Sequence, residues 1–167
     1  DWTSALAGIG LWGPNSRLTL EKLCDDDDVS NEAFPFFSIQ RISISNIPCV
    51  AVRISYIGEL GWEIYTPTEY GLTLWDELRE VSREFNMICS GAGAFESLRL
   101  EKGYRSLGSD IHTNTNPYES GLGFTVKLKK DNDFIGKEAL SKIKEQPVQK
   151  KLACVILDDT EGTALGT

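Results

Sequence analysis

Ile54-Ser55-Tyr56-Ile57-Gly58-Glu59-Leu60-Gly61-Trp62-Glu63-Ile64-Tyr65 decides how this chain is read: an apolar strand is broken by two glycines and resumes around one carboxylate. In an unbroken strand Tyr56 and Glu63, an odd number of residues apart, would stand on opposite faces. Gly58 and Gly61 can interrupt the alternation with a bulge or tight turn, because glycine reaches backbone conformations that other residues avoid. The two side chains could then converge on one cavity. Past the turn, Trp62 and Ile64 should point one way and Glu63 and Tyr65 the other, making Glu63 a candidate buried acceptor backed by an aromatic wall.

Working outward, Ala7–Trp12 reads as a strand, and Gly13-Pro14-Asn15-Ser16 as a turn that starts a helix carrying Leu18, Leu20 and Leu23. Asp25 to Asp28 lack the alternation of a calcium-binding loop and read as a solvated loop. From Phe36 to Pro67 the pattern is of strands: Ile42, Ile44, Val50, Val52 and Ile54 alternate with polar or small residues, and Asn46-Ile47-Pro48 marks a break. Leu72, Trp75, Leu78, Val81 and Phe85 recur at helical steps, which predicts an amphipathic helix. Met87–Cys89 is expected to be a short strand. Glu96–Arg105 is expected to be a helix, with Glu101 and Arg105 one turn apart and able to pair. The resulting order, β-α-β-β-α-β-α, belongs to the α+β class and matches a ferredoxin-like split βαβ unit with additions. A segment Phe124–Leu128, a helix Phe134–Glu145 and a last strand Lys151–Leu157 follow. The chain opens on Asp1-Trp2-Thr3 and closes soon after that strand, so it is expected to be a piece of a longer polypeptide.

A length of 167 residues suits one domain, or one domain with fragments of its neighbours. The net charge of −8 argues against a nucleic-acid surface and against anionic membranes. No apolar run approaches the roughly 20 residues that span a bilayer. Cys24, Cys49, Cys89 and Cys154 are widely separated, and His112 is the one imidazole, so no metal site is expected and buried free thiols are. Gly91-Ala92-Gly93-Ala94-Phe95-Glu96 invites a dinucleotide-binding reading, but Glu96 stands at the third glycine position, where a carboxylate would repel a pyrophosphate.

Several blocks resemble, in order and spacing, the glycine-cleavage T-protein (aminomethyltransferase) superfamily. They are Trp12-Gly13-Pro14, the Gly58-Glu59-Leu60-Gly61-Trp62-Glu63 run, Glu96 to Arg105, Asp110-Ile111, Asn116 to Leu122 and Asp133 to Leu140. The resemblance implies a fragment of the aminomethyltransferase folate-binding fold over residues 1–123. Residues 124–167 would hold a connecting helix and the start of a C-terminal β-barrel domain. It also implies that Glu63 holds the pterin ring of tetrahydrofolate. A pterin presents a ring N–H beside an amino group, and an ionised carboxylate, an acceptor only, can take both hydrogen bonds at once. Tyr56, seven positions earlier, matches a tyrosine near the folate in the flavin-dependent members. A family aspartate that assists folate chemistry lies upstream of the Gly-Pro turn; Asp1 is too close to that turn to match it, so no catalytic residue is assigned.

One departure narrows the expectation. Aminomethyltransferases carry an arginine where this chain has Phe95, and an apolar ring cannot supply the charged fork. The wording Gly-Glu-Leu-Gly-Trp-Glu, Leu-Glu-Lys-Gly-Tyr-Arg and Val29 to Phe36 is similar to that of sarcosine and dimethylglycine dehydrogenases. In those enzymes a flavin-containing oxidoreductase domain of the same polypeptide oxidises an N-methyl amine, and the folate domain takes up the one-carbon unit. Such an enzyme would reside in a bacterial cytoplasm or a mitochondrial matrix. A stand-alone aminomethyltransferase, or a non-catalytic relative such as the regulatory subunit of pyruvate dehydrogenase phosphatase, is the alternative.

Overall fold

Three apolar runs that alternate with polar or small residues lie between the first two helices, and each becomes a strand. The computed structural model describes residues 1–24 and 26–158. It comprises β1 (Leu6–Trp12), α1 (Ser16–Leu23), β2 (Ile39–Ile44), β3 (Ile47–Val52), β4 (Gly61–Pro67), α2 (Gly71–Ser82), α3 (Ala92–Glu101) and α4 (Lys137–Lys144). Contacts divide the chain into two compact units, Asp1–Tyr104 and Arg105–Thr167.

The first unit is an α+β layer. Its four strands are ordered β1-β4-β3-β2, with every neighbouring pair antiparallel. The β2–β3 connection is the two-residue turn Ser45-Asn46, both residues at positive φ (47° and 66°), the twist that favours a tight hairpin. The break expected at Asn46-Ile47-Pro48 is therefore one residue earlier, and Ile47 and Pro48 belong to β3. Register sorts the side chains cleanly. Trp62 and Ile64 of β4 lie beside Leu11 and Ile9 of β1, and Ile64 lies beside Ala51 of β3. With Ile42, Ile44, Cys49, Leu20, Leu23, Leu74 and Leu78 they form the core.

Trp62 is fully buried and meets Phe34 edge-on, at 5.9 Å between ring centroids and 66° between planes. Burying a ring of that size is worth about 4–6 kcal/mol by area. Its indole N–H finds no acceptor among the described residues, a cost of about 1–3 kcal/mol, so the burial still wins.

The structure departs from the expected order in several places. Met87–Cys89 forms no strand, the Met87 N–H donating instead to the Ser82 carbonyl at 3.2 Å, and three strands rather than two separate α1 from α2. The sheet is thus a β2-β3-β4 meander with β1 alongside β4, in place of the expected split βαβ order. On α2 the buried stripe is Leu74, Leu78 and Ser82, whereas Leu72 is 73% exposed and Trp75 39%. The helix stops at Ser82, and Arg83–Phe85 tightens into a single 3-10 turn. Helix α3 begins at Ala92, so the glycine-containing run forms its first turn instead of a loop. It ends at Glu101, because Gly103 at φ 74° reverses the chain. The Tyr104 and Gly103 N–H groups return to the Arg99 and Leu100 carbonyls at 2.9 and 2.8 Å, a double closure of the helix end. Arg105 lies past that end, so the helical pairing with Glu101 does not form.

In the second unit, Asn116-Pro117-Tyr118-Glu119 builds a reciprocal cap. Asn116 Oδ1 accepts from the Tyr118 and Glu119 N–H groups at 2.9 and 3.0 Å, and Glu119 Oε2 accepts from the Asn116 N–H at 3.1 Å. The Tyr118 hydroxyl donates to the Leu140 carbonyl on α4 at 3.2 Å. Lys151–Leu157 forms no strand; the Leu152 N–H donates instead to the Glu119 carbonyl at 2.9 Å.

Candidate functional site

The face of the sheet opposite the core carries the candidate residue Glu63. On β4 the residues pointing to it are Glu63 and Tyr65, both half-buried. Their cross-strand neighbours are Gly10 and Gly8 on β1, and Val52 and Val50 on β3. The two glycines leave clearance for neighbouring rings, which a side chain would crowd at Gly8 and collide with at Gly10. A Cβ on Gly8 would stand 3.1 Å from Tyr65 Cε1, and one on Gly10 would stand 2.1 Å from the Trp12 ring. Two aromatic rings therefore lie over β1, that of Tyr65 beside Gly8 and that of Trp12 over Gly10, the residue paired with Glu63. Gly-x-Gly inside a strand is the sequence signal for such an approach, and the sequence reading passed over it.

The Tyr65 hydroxyl donates to Glu63 Oε2 at 2.7 Å. That bond raises the Tyr65 phenol above its ordinary value of 10, because losing the proton would set a phenolate beside a carboxylate; partial burial adds to the effect. Each carboxylate oxygen has two acceptor sites. Glu63 thus holds acceptor capacity beyond its bond to Tyr65, on an open sheet face, which suits a ligand that presents two adjacent donors.

Tyr56 belongs to a second constellation. The loop from Arg53 to Leu60 turns at Gly58, whose φ of 81° only glycine adopts without strain. Gly61 works differently from the expected bulge. It opens β4 in regular pairing, and a Cβ there would meet the Leu11 carbonyl oxygen at 2.2 Å. Within the loop, the Tyr56 ring stacks with Phe95 at 5.5 Å and 29° and with Tyr104 at 5.9 Å and 22°. Phe95 in turn meets Trp12 at 5.8 Å, and the Trp12 indole N–H donates to the Ile54 carbonyl at 3.1 Å. Trp12 is the link between the two groups, since its ring covers the glycine that faces Glu63. Phe95, where the T-protein resemblance would have an arginine, is therefore the centre of an aromatic stack.

A cavity of about 710 Å³ lies between β1, α2 and α3, with Gly10, Trp12, Trp75, Leu78, Phe95 and Leu98 among its walls and Arg79 and Arg83 as its cations. Neither Glu63 nor Tyr56 lines it, but Gly10 and Trp12 beside Glu63 and Phe95 beside Tyr56 do, so the cavity adjoins both groups. Among the described residues no group of three or more His, Cys, Asp or Glu side chains could hold a metal ion. Asp27 and Asp28 accept from the Ser43 and Ser30 N–H groups at 2.7 and 2.8 Å, as loop carboxylates do; Asp25 lies outside the described residues. Cys24 and Cys49 are buried as expected, whereas Cys89 and Cys154 are exposed. Among the described residues no helix is long and apolar enough to cross a membrane.

Residues 1–130 match the family model described as the GCVT N-terminal domain, and the chain belongs to that family. It is 41% identical over 161 residues to the mitochondrial dimethylglycine dehydrogenase of Homo sapiens, covering 95% of this chain and 18% of that protein. It is 39% identical over 147 residues to the aminomethyltransferase of Caldanaerobacter subterraneus subsp. tengcongensis, covering 88% of this chain and 38% of that one. The mitochondrial sarcosine dehydrogenase of Mus musculus is 35% identical over 159 residues, with coverage of 95% and 17%. The chain thus spans less than a fifth of the length of these dehydrogenases. Among solved structures, the heterotetrameric sarcosine oxidase from Corynebacterium sp. U-96 in complex with pyrrole 2-carboxylate superposes with a TM-score of 0.47 at 24% identity, over 55% of this chain and 45% of that one.

Proposed function

We propose that this chain is the tetrahydrofolate-binding part of a sarcosine or dimethylglycine dehydrogenase-like enzyme. The observation that carries the reading is a half-buried carboxylate, Glu63, held by one hydroxyl on the open face of the sheet with acceptor capacity to spare. Glu63 takes the ring N–H and amino group of the pterin. Tyr56 contributes its edge of the aromatic stack to the same ligand. When bound, tetrahydrofolate supplies the nitrogen pair that takes up a one-carbon unit as 5,10-methylenetetrahydrofolate. The unit comes from oxidation of an N-methyl amine by a flavin-containing oxidoreductase domain of the same polypeptide. In this reading residues 1–123 belong to the folate-binding domain, and 124–167 lead into a C-terminal barrel.

The 39% identity to an aminomethyltransferase supports a second reading, in which the same folate chemistry serves a stand-alone transferase. The aromatic packing of Phe95 favours the first, since the cationic fork of the transferase motif is absent from that position.

Tetrahydrofolate titrated into the wild-type chain and Glu63→Ala by calorimetry tests the anchor. Hydrogen bonds to a charged acceptor are worth about 1.5–3 kcal/mol each, so the variant should bind roughly 10- to 100-fold more weakly. A correctly folded Glu63→Ala with unchanged affinity would remove the assignment.

A further inference from the structure

We propose that Tyr65 is a positioning residue for Glu63, its hydroxyl fixing the carboxylate in the orientation that receives a two-donor ligand edge. The inference rests on the folate reading of Glu63 and adds a residue to it. A glutamate on an open sheet face is free about three side-chain bonds, and ordering it on binding costs affinity. Tyr65 has two such bonds, and its ring is already leaned against the strip of β1 that Gly8 leaves bare, 3.1 Å from where a Cβ would stand. Its hydroxyl sits 2.7 Å from Glu63 Oε2. On β3 the cross-strand neighbour of Tyr65 is Val50. The carboxylate therefore meets a ligand with one oxygen already tied and the plane of the group set. The spacing of two residues on one strand, Glu-x-Tyr, is what allows both side chains to share a face.

Binding of tetrahydrofolate to wild type, Tyr65→Phe, Glu63→Gln and the double variant, read as Kd, tests this. Tyr65→Phe keeps the ring and its packing and deletes only the hydroxyl, so a purely structural role leaves Kd unchanged. The positioning role raises Kd about three- to tenfold and adds nothing further in the Glu63→Gln background. Gly8→Ala, which crowds the ring, should move Kd in the same direction. An absorbance titration of the tyrosines supplies a readout independent of any ligand: the transition that disappears in Tyr65→Phe should fall to lower pH in Glu63→Gln. A Tyr65 transition indifferent to Glu63→Gln overturns the inference. So does a Tyr65→Phe that binds like wild type while Glu63→Gln binds weakly, an outcome that leaves the folate reading intact. If Glu63→Gln binds like wild type, or wild type does not bind, the folate reading falls and this inference falls with it.

Discussion

Cys49 and Cys89 place one functional group in opposite surroundings, and their chemistry should differ accordingly. Cys49 sits in β3 beside Ala51 and Ile47, and burial pushes its thiol from 9.0 up to about 11, only partly offset by a hydrogen bond with Thr66. Cys89 and Cys154 are exposed, as Cys24 is not. A thiol reagent at pH 8 should therefore label two cysteines rapidly in the native chain and four after denaturation; four fast thiols in the native state would contradict the packing of Cys24 and Cys49. The pH dependence has a definite sign. The folded value of Cys49 lies above the unfolded one, so between about 9 and 11 the unfolded chain has given up a proton that the folded chain retains. Its contribution to stability is complete below pH 9 and is lost as the pH rises toward 11. Urea midpoints measured from pH 8 to 11 should fall more steeply in wild type than in Cys49→Ala.

At the scale of elements, glycine separates close approach from mere permissiveness. Gly61→Ala drives a Cβ to within 2.2 Å of the Leu11 carbonyl oxygen and 2.7 Å of Trp12 Cα, both backbone atoms, so β1 must move off β4. The cost should be about 1–3 kcal/mol in urea unfolding. Gly93→Ala, exposed within α3 with nothing near the new methyl, should instead stabilise by about 0.5–1 kcal/mol. Equal effects of the two substitutions would mean that the β1–β4 register is wrong. The same contrast explains what was legible beforehand. The alternation of Trp62 and Ile64 against Glu63 and Tyr65 placed β4 and its two faces, and periodicity placed β1, α1 and α2. Met87-Ile88-Cys89 misled because three apolar residues satisfy a strand pattern without any partner strand to pair with. The sequence pattern starts α3 late, at Glu96, because Gly91 to Glu96 has the look of a phosphate-binding glycine run, although Gly91 simply precedes the first turn. The face shared by Glu63 and Tyr65 was legible, but the bond between them was not, since only the register of β1 against β4 shows where the Tyr65 ring has room to lie.

For the whole molecule, the division into Asp1–Tyr104 and Arg105–Thr167 makes stability uneven along the chain. Every buried apolar side chain among the described residues falls between Leu11 and Leu78, and of residues 105–158 only Ser120 is buried. Phe124 is 72% exposed and Ile135 completely so. The described residues of the second unit are thus organised by hydrogen bonds, such as the Asn116–Glu119 cap and the Tyr118–Leu140 bond, and among them no buried apolar side chain forms a core. Local caps and turns open with far smaller free energies than a core sheet, because opening them exposes little apolar surface. Native-state hydrogen exchange should accordingly resolve two regimes. The amides of Ala51 and Ile64, paired within the sheet, should exchange only through global unfolding. Those of Leu140 and Leu152, bonded to the Gly136 and Glu119 carbonyls at 2.9 Å each, should exchange at least about a hundredfold faster. Added urea should speed the sheet amides with the slope of global unfolding and leave the second set nearly unchanged. If Leu140 and Leu152 are as slow as Ile64 and share its urea dependence, the two units unfold as one, and the cooperative core extends beyond the sheet.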